Sequence, residues 1–215
     1  MAKKEVSKAV LKRLPNYLAY LRALPEEAGA YISATALAAA LNMGEVQVRK
    51  DLAMVSDGGR PKVGYLRASL MEDIEGFLGY NNTTDAVLIG AGKLGCALMG
   101  YKGFAAYGMN IVAAFDTDPA KTGTMESGKP IYGMEQLESF CRERKILMGI
   151  ITVPSSMAQA VCDKLITCGI KAVWSFASTH LEVPDHILVQ YENMAASLAV
   201  LSMHLSAQIK EQEGH

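Results

Sequence analysis

The chain has 215 residues, of which 50% are hydrophobic and 20% charged, with a formal net charge of −1. That length suits one large or two small domains with buried cores, and the composition is ordinary for a soluble globular protein. No apolar run approaches the ~18 residues that span a bilayer, MAKKEVSKAV lacks the apolar stretch of a secretory signal, and Cys96, Cys141, Cys162 and Cys168 form no CxxC pair and no zinc-like spacing with histidine. No membrane span or secretory signal is therefore expected, and plain thiols in a reducing cytoplasm are favoured over a metal or redox role.

Charge is uneven along the chain. Residues 1–80 carry 11 Lys and Arg against 9 Asp and Glu, whereas residues 81–215 carry 10 against 13. The basic residues cluster in 1–13 and in 47–67, a distribution compatible with phosphate contacts. Residues 5–24 have a helical pattern with Pro15 near the middle. Proline removes an N–H and crowds the preceding turn, so a break is expected there, with Pro15 opening a second helix. Ser33 suits the N-cap of a short alanine-rich helix over 34–41, and Asn42-Met43-Gly44 can turn. A further helix is expected over 45–55, with Val46, Val48, Leu52 and Val55 supplying apolar contacts. Ser56 to Tyr65 is rich in turn formers and positive charge, and Ser69 starts one more helix through Phe77. This order describes a winged helix-turn-helix, whose second paired helix lies in the major groove and whose basic wing, here with Arg60 and Lys62, touches phosphates or the minor groove. A helical oligomerisation domain has the same pattern.

The polar run Gly79-Tyr80-Asn81-Asn82-Thr83 marks a domain boundary, placing a DNA-binding domain at 1–80 and a nucleotide domain at 81–192. The nucleotide domain opens on Ala86-Val87-Leu88-Ile89, a buried parallel strand running into Gly90-x-Gly92-x-x-Gly95. A helical pattern follows, then a second strand, Ile111 to Phe115, ending at Asp116, 21 positions past Gly95. That is the spacing of a dinucleotide-binding βαβ unit. Gly90 permits the tight turn, Gly92 admits the pyrophosphate, and Gly95 lets helix pack on strand. The helix N-terminus presents free N–H groups to the phosphates. Asp116 can accept both ribose hydroxyls and would repel a 2′-phosphate, which favours NAD(H) over NADP(H).

The α/β alternation then continues. A helix is expected over 134–144 and a strand over 147–153. Ser155-Ser156 caps a helix through Cys168, and Gly169 ends it. Further strands are expected over 170–174 and 187–189. Ligands of open parallel sheets sit at the carboxyl ends of the strands, so Thr152-Val153-Pro154 and Ser175-Phe176 belong beside the nicotinamide end. A terminal helix within residues 193–215 carries Met194, Leu198, Leu201, Leu205 and Ile209 on one face, a core stripe or a subunit contact.

Arg13-Leu14-Pro15, Gln47-Val48-Arg49-Lys50-Asp51-Leu52, Gly64-Tyr65, the glycine loop with Leu94, Ala113 to Pro119, Thr152-Val153-Pro154 and Leu181 to Pro184 together resemble the Rex redox-sensing transcriptional repressors over nearly the whole chain. The resemblance implies an α/β fold: an N-terminal winged helix-turn-helix plus a C-terminal Rossmann-like parallel sheet, with the last helix swapped onto a second subunit. It implies a homodimeric cytoplasmic repressor that senses the NADH/NAD⁺ balance, holding double-stranded operator DNA with NAD⁺ and releasing it with NADH. No catalytic or metal-binding residue is implied. The cofactor residues are then Gly90, Ala91, Gly92, Lys93, Leu94, Gly95, Asp116, Thr117, Lys121, Thr152, Val153, Pro154, Ser175 and Phe176. The DNA-contacting residues are Ser33, Gln47, Arg49, Lys50, Arg60 and Lys62, and the switch residues are Tyr101, Asn193 and Met194. The chain departs from the family at several positions. Asn193 stands where an Asp is usual, Met194 where some members have an aromatic, Ala19 where some carry an Arg, Met54-Val55-Ser56 for Tyr-Phe-Gly, and Ala34 for a second Ser. Two other functions fit the residues. A small NAD-dependent dehydrogenase would use His180 or His186 as acid/base, and a Rex-like nucleotide-binding protein could have a weakened redox response.

Overall fold

The computed structural model describes residues 7–213, so Lys3 and Lys4 of the basic N-terminal run lie outside the described residues. The chain forms two units: residues up to Asn82 with Ala106–Gly108, and Thr83–Ala105 with Met109 onward.

The first unit is built from α1 (Lys8–Ala23), β1 (Tyr31–Ile32), α2 (Ala34–Ala40), α3 (Glu45–Val55), β2 (Tyr65–Leu66) and α4 (Arg67–Leu78). Contrary to the expected break, α1 passes through Pro15 as one helix. Val10, Leu14, Tyr17, Leu18 and Leu21 form a single buried stripe on both sides of the proline, and burying it outweighs the lost backbone bond. Ser33 caps α2, its Oγ accepting the Ala36 N–H at 3.0 Å. Ala34, just inside that cap, is buried against the core. In α3, Val48 and Leu52 enter the core, but Val46 turns outward, 66% exposed, so its expected core role is wrong. Helix α4 starts at Arg67 rather than Ser69, because the Arg67 N–H is already bonded to the Ala30 carbonyl at 2.8 Å. The β1–β2 ladder was not legible in the sequence, since two-residue strands carry no period.

The second unit is built from β3 (Thr84–Ile89), α5 (Lys93–Gly100), β4 (Met109–Asp116), β5 (Met125–Glu126), β6 (Lys129–Gly133), α6 (Leu137–Arg144), β7 (Met148–Ile151), α7 (Ser155–Thr167), β8 (Ala172–Ser175), β9 (Leu188–Tyr191) and α8 (Met194–Glu213). One sheet runs β5-β6-β4-β3-β7-β8-β9, parallel throughout except for the β5–β6 edge. Ala86 and Leu88 of β3 enter one core cluster while Val87 and Ile89 enter another. Burial on both faces is why this strand reads as an unbroken apolar run. Strand β6 was missed because Pro130 argues against a strand; its ladder to β4 begins one residue later, at Ile131. Ser155 and Ser156 lie inside the first turn of α7 and do not cap it; Pro154 holds the cap position. Helix α8 leaves Met194, Leu198, Leu201 and Leu205 more than half exposed, so its stripe is not a core face within this chain.

Candidate cofactor cleft and nucleic-acid interface

The strand order reverses between β3 and β7, where two βαβ halves diverge and their carboxyl ends open a crevice. Ile89, Gly90, Gly92, Phe115, Asp116, Thr117, Lys121, Met134, Thr152, Val153, Pro154, Met157 and Val161 line it. Gly90 has φ +101°, and a Cβ there would press on Val153 and Thr152. A Cβ on Gly95 would overlap the Gly90 carbonyl, so this glycine sets how closely α5 packs on the loop. A Cβ on Gly92 would meet nothing within 4 Å, so backbone is bare there beside the N-terminus of α5. The Thr152 hydroxyl reaches the carbonyls of Ile89 at 3.0 Å and Gly90 at 2.8 Å, tying the end of β7 to the glycine loop.

Asp116 is already engaged. Its Oδ1 accepts the Asp118 N–H at 2.9 Å; its Oδ2 accepts the Ala91 N–H at 2.8 Å and the Lys121 ammonium at 3.2 Å. Burial alone would raise this carboxyl, but the Asp118 N–H, Lys121 and the Ala91 N–H outweigh it and hold it below the usual carboxylate range. Three donors fill most of the roughly four acceptor positions of a carboxylate. One acceptor position of Asp116 thus remains free of these three donors.

Six other expected cofactor residues do not line the crevice. Ala91 and Gly95 are buried, Leu94 is half-buried and Lys93 is exposed. Ser175 is fully buried and its Oγ accepts the Ala177 N–H at 3.3 Å, while Phe176 packs on Trp174. The sequence missed the apolar wall of Phe115, Met134, Met157 and Val161, which has no motif. His180 and His186 are exposed and lie outside the lining, and His180 stacks on Tyr191. The crevice therefore lacks the histidine acid/base that a dehydrogenase would use.

In the first unit, Ser33, Thr35, Arg49, Gly59, Arg60, Pro61, Lys62, Gly64 and Tyr65 surround a hollow between α2, α3 and the wing. Gly64 has φ +94°, and a Cβ there would collide with the Ile32 carbonyl, so only glycine lets the wing close on β1. Arg60 and Gly64 exchange backbone hydrogen bonds at 2.9 Å, leaving Pro61, Lys62 and Val63 at the tip. Gln47, Arg49 and Lys50 are exposed on α3; Arg49 pairs with Glu45 one turn back. Ser56 shapes the entry to the wing, its Oγ accepting the Gly58 N–H at 3.2 Å.

The sequence did not reveal what holds α3. Arg13 of α1 grips Asp51 with two hydrogen bonds, Nε to Oδ2 at 2.7 Å and Nη2 to Oδ1 at 2.9 Å. The Tyr17 hydroxyl donates to Oδ2 at 2.7 Å. Asp51 is 2% exposed and sits on the inner side of the helix that carries Arg49 and Lys50 outward. Burial and the hydrogen bond to Asp51 push the Tyr17 hydroxyl up to about 12.

A family model described as a putative DNA-binding protein N-terminus matches residues 5–53, and one described as a CoA binding domain matches residues 81–179. A redox-sensing transcriptional repressor Rex of Treponema denticola is 41% identical over 96% of this chain and 99% of its own length. The Rex of Bacteroides fragilis is 37% identical over 94% of this chain and 92% of its own. The chain belongs to the Rex family of redox-sensing transcriptional repressors. Among solved Rex structures, RSP in complex with β-NAD⁺ and operator DNA is similar with a TM-score of 0.88 at 32% identity, each chain 99% covered. RSP in complex with β-NADH matches at 0.87 and 31% identity, over 99% of this chain and all of that one.

Against that family the substituted positions have structural roles. Asn193 caps α8, its Oδ1 accepting the Ala196 N–H at 2.9 Å, a task an amide performs as well as a carboxylate. Ala19 is exposed on α1. Tyr101, 57% exposed, follows α5 and meets Phe104 edge-on at 4.8 Å. Met194 is 65% exposed. No helix among the described residues is long and apolar enough to cross a membrane, and no cluster of three or more metal-ligating side chains occurs among them. The four cysteines are free; burial pushes Cys141 up to about 11 and raises Cys162, so both act as small core side chains.

Proposed function

We propose that this protein is a cytoplasmic, homodimeric repressor that binds operator DNA and changes its grip with the NADH/NAD⁺ balance. One observation carries the reading: a single chain combines a basic wing and helix face with a crevice whose glycine loop and paired Asp116 suit a dinucleotide. The cofactor fits the residues present. Bare backbone at Gly92 and the N-terminus of α5 suit a pyrophosphate, Asp116 a ribose hydroxyl, and the Met134–Met157 wall an apolar ring face. Bound there, the cofactor supplies a nicotinamide ring that is cationic when oxidised and neutral when reduced. Thr152, Val153 and Pro154 stand on the nicotinamide side, where Thr152 keeps the loop and the end of β7 in register.

On DNA, α3 lies in the major groove. Arg49 and Lys50, adjacent and about 100° apart around the helix, divide base reading from phosphate gripping, while Arg60, Lys62 and Ser33 hold the backbone. The domains run 1–80 for DNA, 81–192 for cofactor and 193–215 for the subunit contact, where α8 is swapped onto its partner.

Ala19 and Asn193 cannot form the charged pair implied for some members of the family, so the electrostatic part of the coupling is absent. Titrating the full chain onto genomic operator fragments with saturating NAD⁺ and then NADH tests both levels. Salt-dependent, sequence-selective binding lost in Arg49→Ala or Lys50→Ala is expected, with a modest loosening by NADH. Absence of selective binding rules out the repressor. A release of a hundredfold or more by NADH shows instead that Tyr101 and the remaining contacts carry the switch.

A further inference from the structure

We propose that Glu135 is a specificity-determining residue of the crevice: its carboxylate, together with Asp116, excludes a 2′-phosphate and so sets the preference for a dinucleotide with a free adenosine ribose. The inference rests on the dinucleotide reading above and deepens it.

The usual agent of this selectivity in a βαβ unit is the acid at the end of the second strand. Here that acid is partly compensated. Lys121 stands 3.2 Å from Asp116 and 3.6 Å from Asp118, and two backbone N–H groups also donate to Asp116. A carboxylate that shares an ammonium in this way repels an incoming anion less than a bare one, and Lys121 itself would attract it.

Next to Asp116 lies a second hollow of about 360 Å³, which shares Asp116, Thr117 and Met134 with the main crevice and ends at Glu135. The backbone fixes that placement. In the β4–β6 ladder Gly133 stands directly opposite Asp116. The Glu135 carboxylate folds back into the space where a side chain on Gly133 would begin. Glycine at 133 thus leaves room for the Glu135 carboxylate in the hollow that Asp116 also lines. Among the described residues no Lys or Arg forms a salt bridge with Glu135; its carboxylate accepts a hydrogen bond from the Gln136 amide at 3.5 Å. Asp116 and Asp118 share the one positive charge of Lys121, which leaves one net negative charge there; Glu135 adds a second that no Lys or Arg among the described residues offsets. A 2′-phosphate carries nearly two charges. Even in a water-like medium, one unit charge at a few ångströms then alters affinity on the order of tenfold.

The test is displacement of NADH from the full-length protein by NADP⁺ and, separately, by NAD⁺, followed by cofactor fluorescence. In Glu135→Gln, NADP⁺ should bind about tenfold more tightly while NAD⁺ stays within about twofold. An unchanged NADP⁺/NAD⁺ ratio in Glu135→Gln, with Asp116→Asn closing the gap, overturns the inference and returns the selectivity to Asp116 alone. Failure of the unaltered protein to bind NADH at all removes the dinucleotide reading and this inference with it.

Discussion

Replacing Asp51 by Ala should weaken the first unit by about 3 kcal/mol and detach α3, the helix proposed to read DNA, without touching the cofactor. Asp51 accepts three hydrogen bonds, two from Arg13 and one from Tyr17, at 2.7 to 2.9 Å, and is 2% exposed. Removing one partner of a buried pair typically costs ~3–5 kcal/mol, because the other charge is stranded. The Arg13 side chain keeps 21% exposure, so water takes up part of its charge, which argues for the lower end of that range. The Tyr17 hydroxyl has no such relief: its residue is fully buried, and an orphaned buried donor costs ~1–3 kcal/mol. Each unit has its own buried clusters, so the loss should be local. The single tryptophan, Trp174, is in β8 and reports on the second unit alone. In urea, the helical signal of Asp51→Ala should melt earlier while the Trp174 transition and NADH affinity stay put. Operator affinity should fall with the helical signal, since α3 loses its tie to α1. The double variant Arg13→Met/Asp51→Leu should recover part of the stability by removing both charges. A loss below about 1 kcal/mol in Asp51→Ala, or one shared by the Trp174 transition, would refute the reasoning.

Three further outcomes follow from the same geometry. Gly95→Ala puts a methyl against the Gly90 carbonyl, so NADH affinity should drop more than tenfold and calorimetry should detect it, with a stability cost of ~1–3 kcal/mol; near-normal affinity would mean the loop shifts freely. Stability should also decline in alkali. The Tyr17 hydroxyl is held near 12 when folded against an ordinary value of 10, so the folded state keeps a proton that the unfolded state releases. That contribution is intact below pH 10 and is lost as pH rises toward about 12, on the order of 3 kcal/mol in all. Tyr17→Phe should abolish this part of the alkaline slope. Leu201→Asp, on the exposed stripe of α8, should turn a dimer into a monomer in light scattering, by burying an unpaired charge at the subunit contact; an unchanged dimer would place that contact elsewhere.

Local chemistry made part of this protein legible from residues alone. The β3–loop–α5–β4 unit is contiguous, Gly90 takes a positive φ and Gly95 meets the Gly90 carbonyl within that same loop, and its strands are buried on both faces, so pattern and structure coincide. Ser33 and the bounds of α3 were readable for the same reason: capping and turn chemistry act over three or four positions. Everything decided by distant partners stayed hidden. Nothing near Pro15 says that α1 continues through it, because the continuity comes from a core assembled by α2, α3 and α4. Asp51 looks like one more charge on a basic helix until Arg13, 38 positions away, closes on it. Asp116 stands out by its spacing from the glycine loop, yet its pairing with Lys121 and the hollow it shares with Glu135 depend on a loop and on a β4–β6 register that begins after a proline. Helix α8 shows the limit from the other side. Its apolar period is plain in sequence, but only the folded chain, which leaves that stripe exposed, shows that the period is not satisfied within one copy. A periodic pattern specifies that a face must be buried; the tertiary structure determines against what.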